Sequence, residues 1–120
     1  MERKRFIIEI GTGIDLHGED VTEAACRAVK DAISSNCLCG LAEVLTPDDV
    51  SRIEVEIVIA SPKPDEVDLA QVEAVVPIGD KKVTSVPGGM TVKGLLVPRF
   101  GPDKDQIVVA NAAVTVFVCS

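Results

Sequence analysis

From Gln106 to Val118 the side chains alternate with period two, and Val108, Ala110, Ala112, Val114, Val116 and Val118 make an unbroken apolar face. The opposite face sets Asn111 and Thr115 among Ile107, Val109, Ala113 and Phe117. Successive side chains of an extended chain leave opposite faces, so this run reads as one long closing strand. A strand this apolar on both sides needs a packed layer on one face and further burial on the other. A second strand is expected from Ile53 to Ala60, where Ile53, Val55, Ile57 and Ile59 face one way and Glu54 and Glu56 face solvent.

The helical signal is strongest after Asp20-Val21-Thr22-Glu23, which has the form of a capping box. Up to about Ser35, Thr22, Cys26, Val29 and Ile33 form one stripe, widened by Val21, Ala25, Ala28 and Ala32. Arg5 to Ile10 reads as a first strand that ends at a glycine turn. Leu41 to Leu45 is a short helix, Thr46-Pro47-Asp48-Asp49 a further helix start, and Asp68 to Val75 another short helix. Lys82 to Val86 and Met90 to Lys93 flank Pro87-Gly88-Gly89, the pattern of a hairpin, and Leu95 to Val97 is a further short strand. The order β-α-(α)-β-α-β-β-β over residues 1–120 predicts a single-domain α/β (α+β) protein, a two-layer mixed β-sheet with helices on one face. The outer face of such a sheet stays apolar here, so a homo-oligomer is expected.

With three Phe and no Trp or Tyr among 120 residues, the core must be built from Val, Ile, Leu and Ala. The same scarcity removes the aromatic platforms on which bases stack. A formal net charge of −7 repels phosphate backbones and anionic bilayers, and Arg3-Lys4-Arg5 is too short a basic run to reverse this. Neither a nucleic-acid nor a membrane partner is expected. No run approaches a membrane span, and Phe6-Ile7-Ile8 is too short for a signal-peptide core, so the expectation is a cytoplasmic protein whose Cys26, Cys37, Cys39 and Cys119 are reduced.

The chemistry-bearing segment is Gly11-Thr12-Gly13-Ile14-Asp15-Leu16-His17-Gly18, which holds the one histidine of the chain. Residues two apart in an extended segment project from the same face, so Asp15 and His17 can converge on one cation or one substrate. Imidazole as a type titrates near neutrality, which makes His17 the natural general acid/base and the pair the candidate catalytic residues. Gly11, Thr12, Gly13 and Gly18 are candidates for ligand binding through a backbone that a ligand can approach closely, with Asn111 as a further pocket candidate. Three roles for the pair stay open: a divalent metal site, anion binding or acid–base work on a small-molecule ligand, and a structural turn held by Asp15. The segment is neither a phosphate-binding Walker loop nor a dinucleotide fingerprint.

Gly11, Gly13, Asp15, His17 and Gly18 resemble the GxGxDxHG signature of a small family of uncharacterised proteins of about this length. That similarity extends through Cys26–Ile33 and Val108–Val118, and it implies no established activity. The strand, glycine turn and Asp-x-His pair also resemble the start of the methylerythritol cyclodiphosphate synthases. In that family the pair binds a divalent metal completed by a second, distant histidine, which implies a metal role for Asp15 and His17. This chain has no second histidine. Cys26, Cys37 and Cys39 lack the C-x-x-C spacing of a structural zinc site. Ser85 or Ser61 with Lys30, Lys63 or Lys93 forms a minor alternative, loosely similar in size and element order to one unit of the ring-opening amidohydrolases. A non-catalytic assembly protein, with the glycine turn as a subunit contact, is the competing class.

Overall fold

The structure, a computed structural model, describes residues 2–44 and 52–119. Its sheet is built around strand β5 (Gln106–Cys119), the long apolar run. Strand β1 (Arg3–Asp15) pairs antiparallel along one side of it, from Arg3 opposite Cys119 to Asp15 opposite Val108. On the other side, β2 (Ile53–Ser61) pairs antiparallel with the Asn111–Val118 part and β4 (Met90–Lys93) with the Gln106–Val109 end. Strand β3 (Asp80–Pro87) adds in parallel to the far edge of β2, which completes a five-stranded mixed sheet.

Three helices complete the described residues: α1 (Val21–Ser34), α2 (Cys39–Glu43) and α3 (Leu69–Glu73). Helix α1 starts where the sequence places it, because the Asp20 side chain accepts a hydrogen bond from the Glu23 amide at 3.0 Å. It lies across β1 and β5, and α3 packs beside it and against β3. Between this helical layer and the sheet lies the core, with Val29, Val55, Ile57, Ile59 and Val72 at no more than 1% exposure. None of these helices is long and apolar enough to cross a membrane.

Strand β1 does not end at the glycines. It continues to Asp15, and Gly11 and Gly13 are ordinary strand residues without positive φ. Both face α1. A Cβ on Gly11 would stand 2.2 Å from the Ala28 carbonyl oxygen, and one on Gly13 2.0 Å from that of Ala24. The two glycines are therefore required by the close approach of a helix backbone. This also rotates the buried stripe of α1 onto Val21, Ala24, Ala25, Ala28, Val29 and Ala32, leaving Cys26 and Ile33 only half-buried.

The expected hairpin does not form. β3 pairs with β2 and β4 with β5, so Pro87-Gly88-Gly89 carries the chain over the end of β2 instead. The Gly88 amide donates to the Ser61 carbonyl at 3.0 Å, and Gly89 adopts φ +64° with no room for a side chain against the Val109 carbonyl. Leu95 to Val97 is irregular rather than a strand. The short helix expected at Leu41–Leu45 begins earlier, at Cys39, and the start at Thr46-Pro47 lies outside the described residues.

Candidate functional site

The end of β1, the link to α1 and the 3-10 turn Pro98–Phe100 enclose an open cleft of about 460 Å3. Its walls are Asp15, Leu16, His17, Gly18, Asp20, Glu23, Arg27 and Phe100. Asp15 is largely buried, and both of its oxygens are engaged: Oδ1 accepts from Arg27 Nη1 at 3.2 Å and Oδ2 from the Asp20 amide at 2.9 Å. Arg27 Nη1 also donates to the Ile14 carbonyl at 2.7 Å, and its Nε pairs with Glu23 at 3.2 Å. Asp15 thus fastens the strand end to the first turns of α1. Gly18 fits because a Cβ there would meet Asp15 Oδ2 at 2.9 Å. Lys104 Nζ donates to the Gly18 carbonyl at 3.2 Å and ties the link to the loop before β5. Between them Glu19 adopts φ +50°, a left-handed conformation that costs a side-chain-bearing residue about 1–2 kcal/mol.

His17 lies flat against Phe100, with ring centroids 5.2 Å apart and planes 10° from parallel. The Arg99 guanidinium carbon stands 5.6 Å from the Phe100 ring. Nδ1 of His17 is buried and has no hydrogen-bond partner among the described residues. The sequence reading paired His17 with Asp15; here its neighbour is Phe100, and the Asp15 oxygens serve Arg27 and the Asp20 amide. Phe100 was missed because it stands far away in sequence. The available signal was that it is one of three aromatics and sits between Pro98-Arg99 and Gly101.

Asp15 Oδ1 is paired with the Arg27 guanidinium at 3.2 Å. Among the described residues no group of three His, Cys, Asp or Glu comes together. Cys26 is half-buried, and burial with the charge of Glu23 pushes its thiol up; Cys37 and Cys39 are exposed.

Gly11 and Gly13 face α1, with their backbone in the β1–β5 ladder rather than in the cleft. Thr12 and Asn111 pair on the helix-free face, where Asn111 Nδ2 donates to Thr12 Oγ1 at 3.1 Å, and neither lines the cleft. The Thr12 amide, on the open edge of the sheet, is capped by Asp31 at 2.9 Å. Ser85 donates to the Pro64 carbonyl at 2.7 Å, and Ser61 Oγ accepts from the Lys63 amide at 3.2 Å. Both hydroxyls thus hold turns, and neither bonds to a lysine ammonium among the described residues.

The family described as "Conserved hypothetical protein (Lin0512_fam)" matches residues 5–116. A crystal structure described as that of an FtsZ-like protein of unknown function, from Nostoc punctiforme PCC 73102, is similar over 100% of this chain and 99% of its own. The sequence identity is 43% and the TM-score 0.81. No curated protein matches the chain.

Proposed function

Because the chain belongs to this conserved hypothetical family, whose description names no activity, we propose a function from the cleft itself: binding of a polar small molecule, with His17 as its acid–base group and Asp15 as a positioning residue. The observation that carries this reading is the unpartnered Nδ1 of the only histidine, in the wall of a cleft of about 460 Å3. That volume falls in the range of small-molecule sites. A buried nitrogen without a partner costs about 1–3 kcal/mol. A half-turn of the ring about Cβ–Cγ keeps the stack on Phe100 and exchanges Nδ1 with Cδ2, which brings the nitrogen to the other edge of the ring. The ligand class that fits has a hydrogen-bonding group for His17 and an apolar or flat face for Leu16 and Phe100.

The test is a fragment screen followed by NMR of the imidazole, which gives one signal set in a chain with one histidine. Binding fragments are expected to shift the His17 resonances and to lose about tenfold or more in affinity in His17→Gln, with the unfolding midpoint unchanged. Fragments that bind both proteins equally, or a His17→Gln protein that does not fold, would leave the histidine with a structural role only.

A self-associating protein is a second reading, compatible with the first, and the helix-free sheet face supports it. Ile8, Ile10, Ile14, Val58, Val86, Met90 and Val92 are exposed there, Ile10 at 65% and Met90 at 55%. The molecule is a slab of 53 × 24 × 18 Å with a radius of gyration of 16.3 Å. A compact chain of this length would measure about 13–14 Å. A long flat shape with one apolar face is buried by a second copy against that face.

A further inference from the structure

Glu9 is buried to 3% exposure in the layer between sheet and helices. It lies on the same face of β1 as Ile7, Gly11 and Gly13, opposite Val114 in the ladder. The packing of Gly11 and Gly13 against Ala24 to Ala32 runs along α1, so Glu9 meets the far end of that helix, away from His17. Its Oε2 accepts from Asn36 Nδ2 at 3.2 Å. Its Oε1 is buried and has no partner among the described residues. No ion pair reaches Glu9 among those residues. Glu9 also lines a second pocket, of about 180 Å3, whose other walls are aliphatic, among them Ile33, Leu38, Val55, Val76, Val114 and Val116. Ile78, 41% exposed, stands at the mouth.

A carboxylate at this position is costly. Burying a charge without a countercharge or full hydrogen bonding is among the most unfavourable things a core can hold. An aliphatic residue would pack against Val114 and Val116 with no such penalty. An ionised carboxylate accepts and does not donate, so the partner that complements Oε1 in that form is a cationic donor. The surrounding walls offer only apolar contact. We infer that this pocket is a second ligand site, which takes a small aliphatic ammonium compound with the cation on Glu9 Oε1 and the hydrocarbon body against the valine and isoleucine walls. A volume of about 180 Å3 corresponds to roughly six waters at about 30 Å3 each, hence to a ligand of roughly six heavy atoms.

The experiment is calorimetric and thermal titration of the whole protein with n-pentylammonium chloride, with 1-pentanol as the uncharged match. Pentylammonium is expected to bind one-to-one, to raise the unfolding midpoint, and to exceed pentanol in affinity by about tenfold or more. Glu9→Gln keeps the shape and removes the charge, and is expected to lose this preference. Should Glu9→Gln not fold, Ile78→Trp narrows the mouth without touching the carboxylate and is expected to weaken amine binding. Absence of pentylammonium binding to the wild-type protein would overturn the assignment. So would equal affinity for pentanol, a preference for the amine that survives in Glu9→Gln, or amine binding undiminished in Ile78→Trp.

Discussion

Replacing Gly13 by alanine adds one methyl group, and the geometry says what it must do. The new Cβ would lie 2.0 Å from the Ala24 carbonyl oxygen, 2.3 Å from the Ala28 nitrogen and 2.8 Å from the Arg27 carbonyl carbon. All three are backbone atoms in the middle of α1, so no rotamer change relieves the overlap. Helix and strand must part by about 1 Å to reach even the shortest tolerable contact. A gap of that size forfeits a quarter to a half of each dispersion contact on the facing surface, about 0.1–0.2 kcal/mol per atom pair at the optimum. That surface is the buried row Val21, Ala24, Ala25, Ala28, Val29 and Ala32. Overpacking typically costs 1–3 kcal/mol, and a rigid backbone clash sits at the upper end, so the expected loss is about 3 kcal/mol, or about 12 °C in midpoint. Urea unfolding followed by circular dichroism measures it. Gly18→Ala is the control, because its Cβ meets only the Asp15 side chain, at 2.9 Å, and about 1 kcal/mol or less is expected. Ala24→Gly should not rescue Gly13→Ala, since the obstacle is the Ala24 carbonyl. A Gly13→Ala protein within about 0.5 kcal/mol of wild type, or one no worse than Gly18→Ala, would refute the argument that the glycines serve helix approach.

Two further outcomes follow from the same structure. Glu19→Gly should stabilise the protein by about 0.5–1 kcal/mol, because glycine holds φ +50° without steric cost; a loss of stability in the same urea assay would count against the left-handed conformation. If the protein self-associates through the helix-free face as proposed, Ile10→Glu, which places a charge among the exposed isoleucines of β1, should give monomer by light scattering while changing the stability of the monomer fold little. A wild-type protein that is already monomeric at micromolar concentration would remove the self-association reading.

Much of the architecture was legible along the chain. Ile53 to Ala60 and Gln106 to Val118 alternate so regularly that they could only be strands, and Asp20 with Glu23 marks a helix start by chemistry that acts over three residues. What was misread depended on partners distant in sequence. Gly11-Thr12-Gly13 has the composition of a turn, and only the arrival of Ala24, Ala28 and Ala32 shows that the glycines make room for a helix. Pro87-Gly88-Gly89 looks the same locally whether it folds β3 back on β4 or crosses over β2 to β5. The candidate site divides in the same way. That Asp15 and His17 lie near one another follows from their spacing, but Asp15 takes Arg27 and the Asp20 amide as partners, and His17 takes Phe100.

The sequence by itself therefore determined the layers, through periodicity and capping, because those signals arise from interactions within a few residues of one another. Tertiary structure alone decided which strands pair, why the glycines are needed, and which groups stand around His17 and Glu9. Those outcomes depend on contacts between segments tens of residues apart, and a buried carboxylate or a flat imidazole acquires its chemical meaning only from what the fold brings against it.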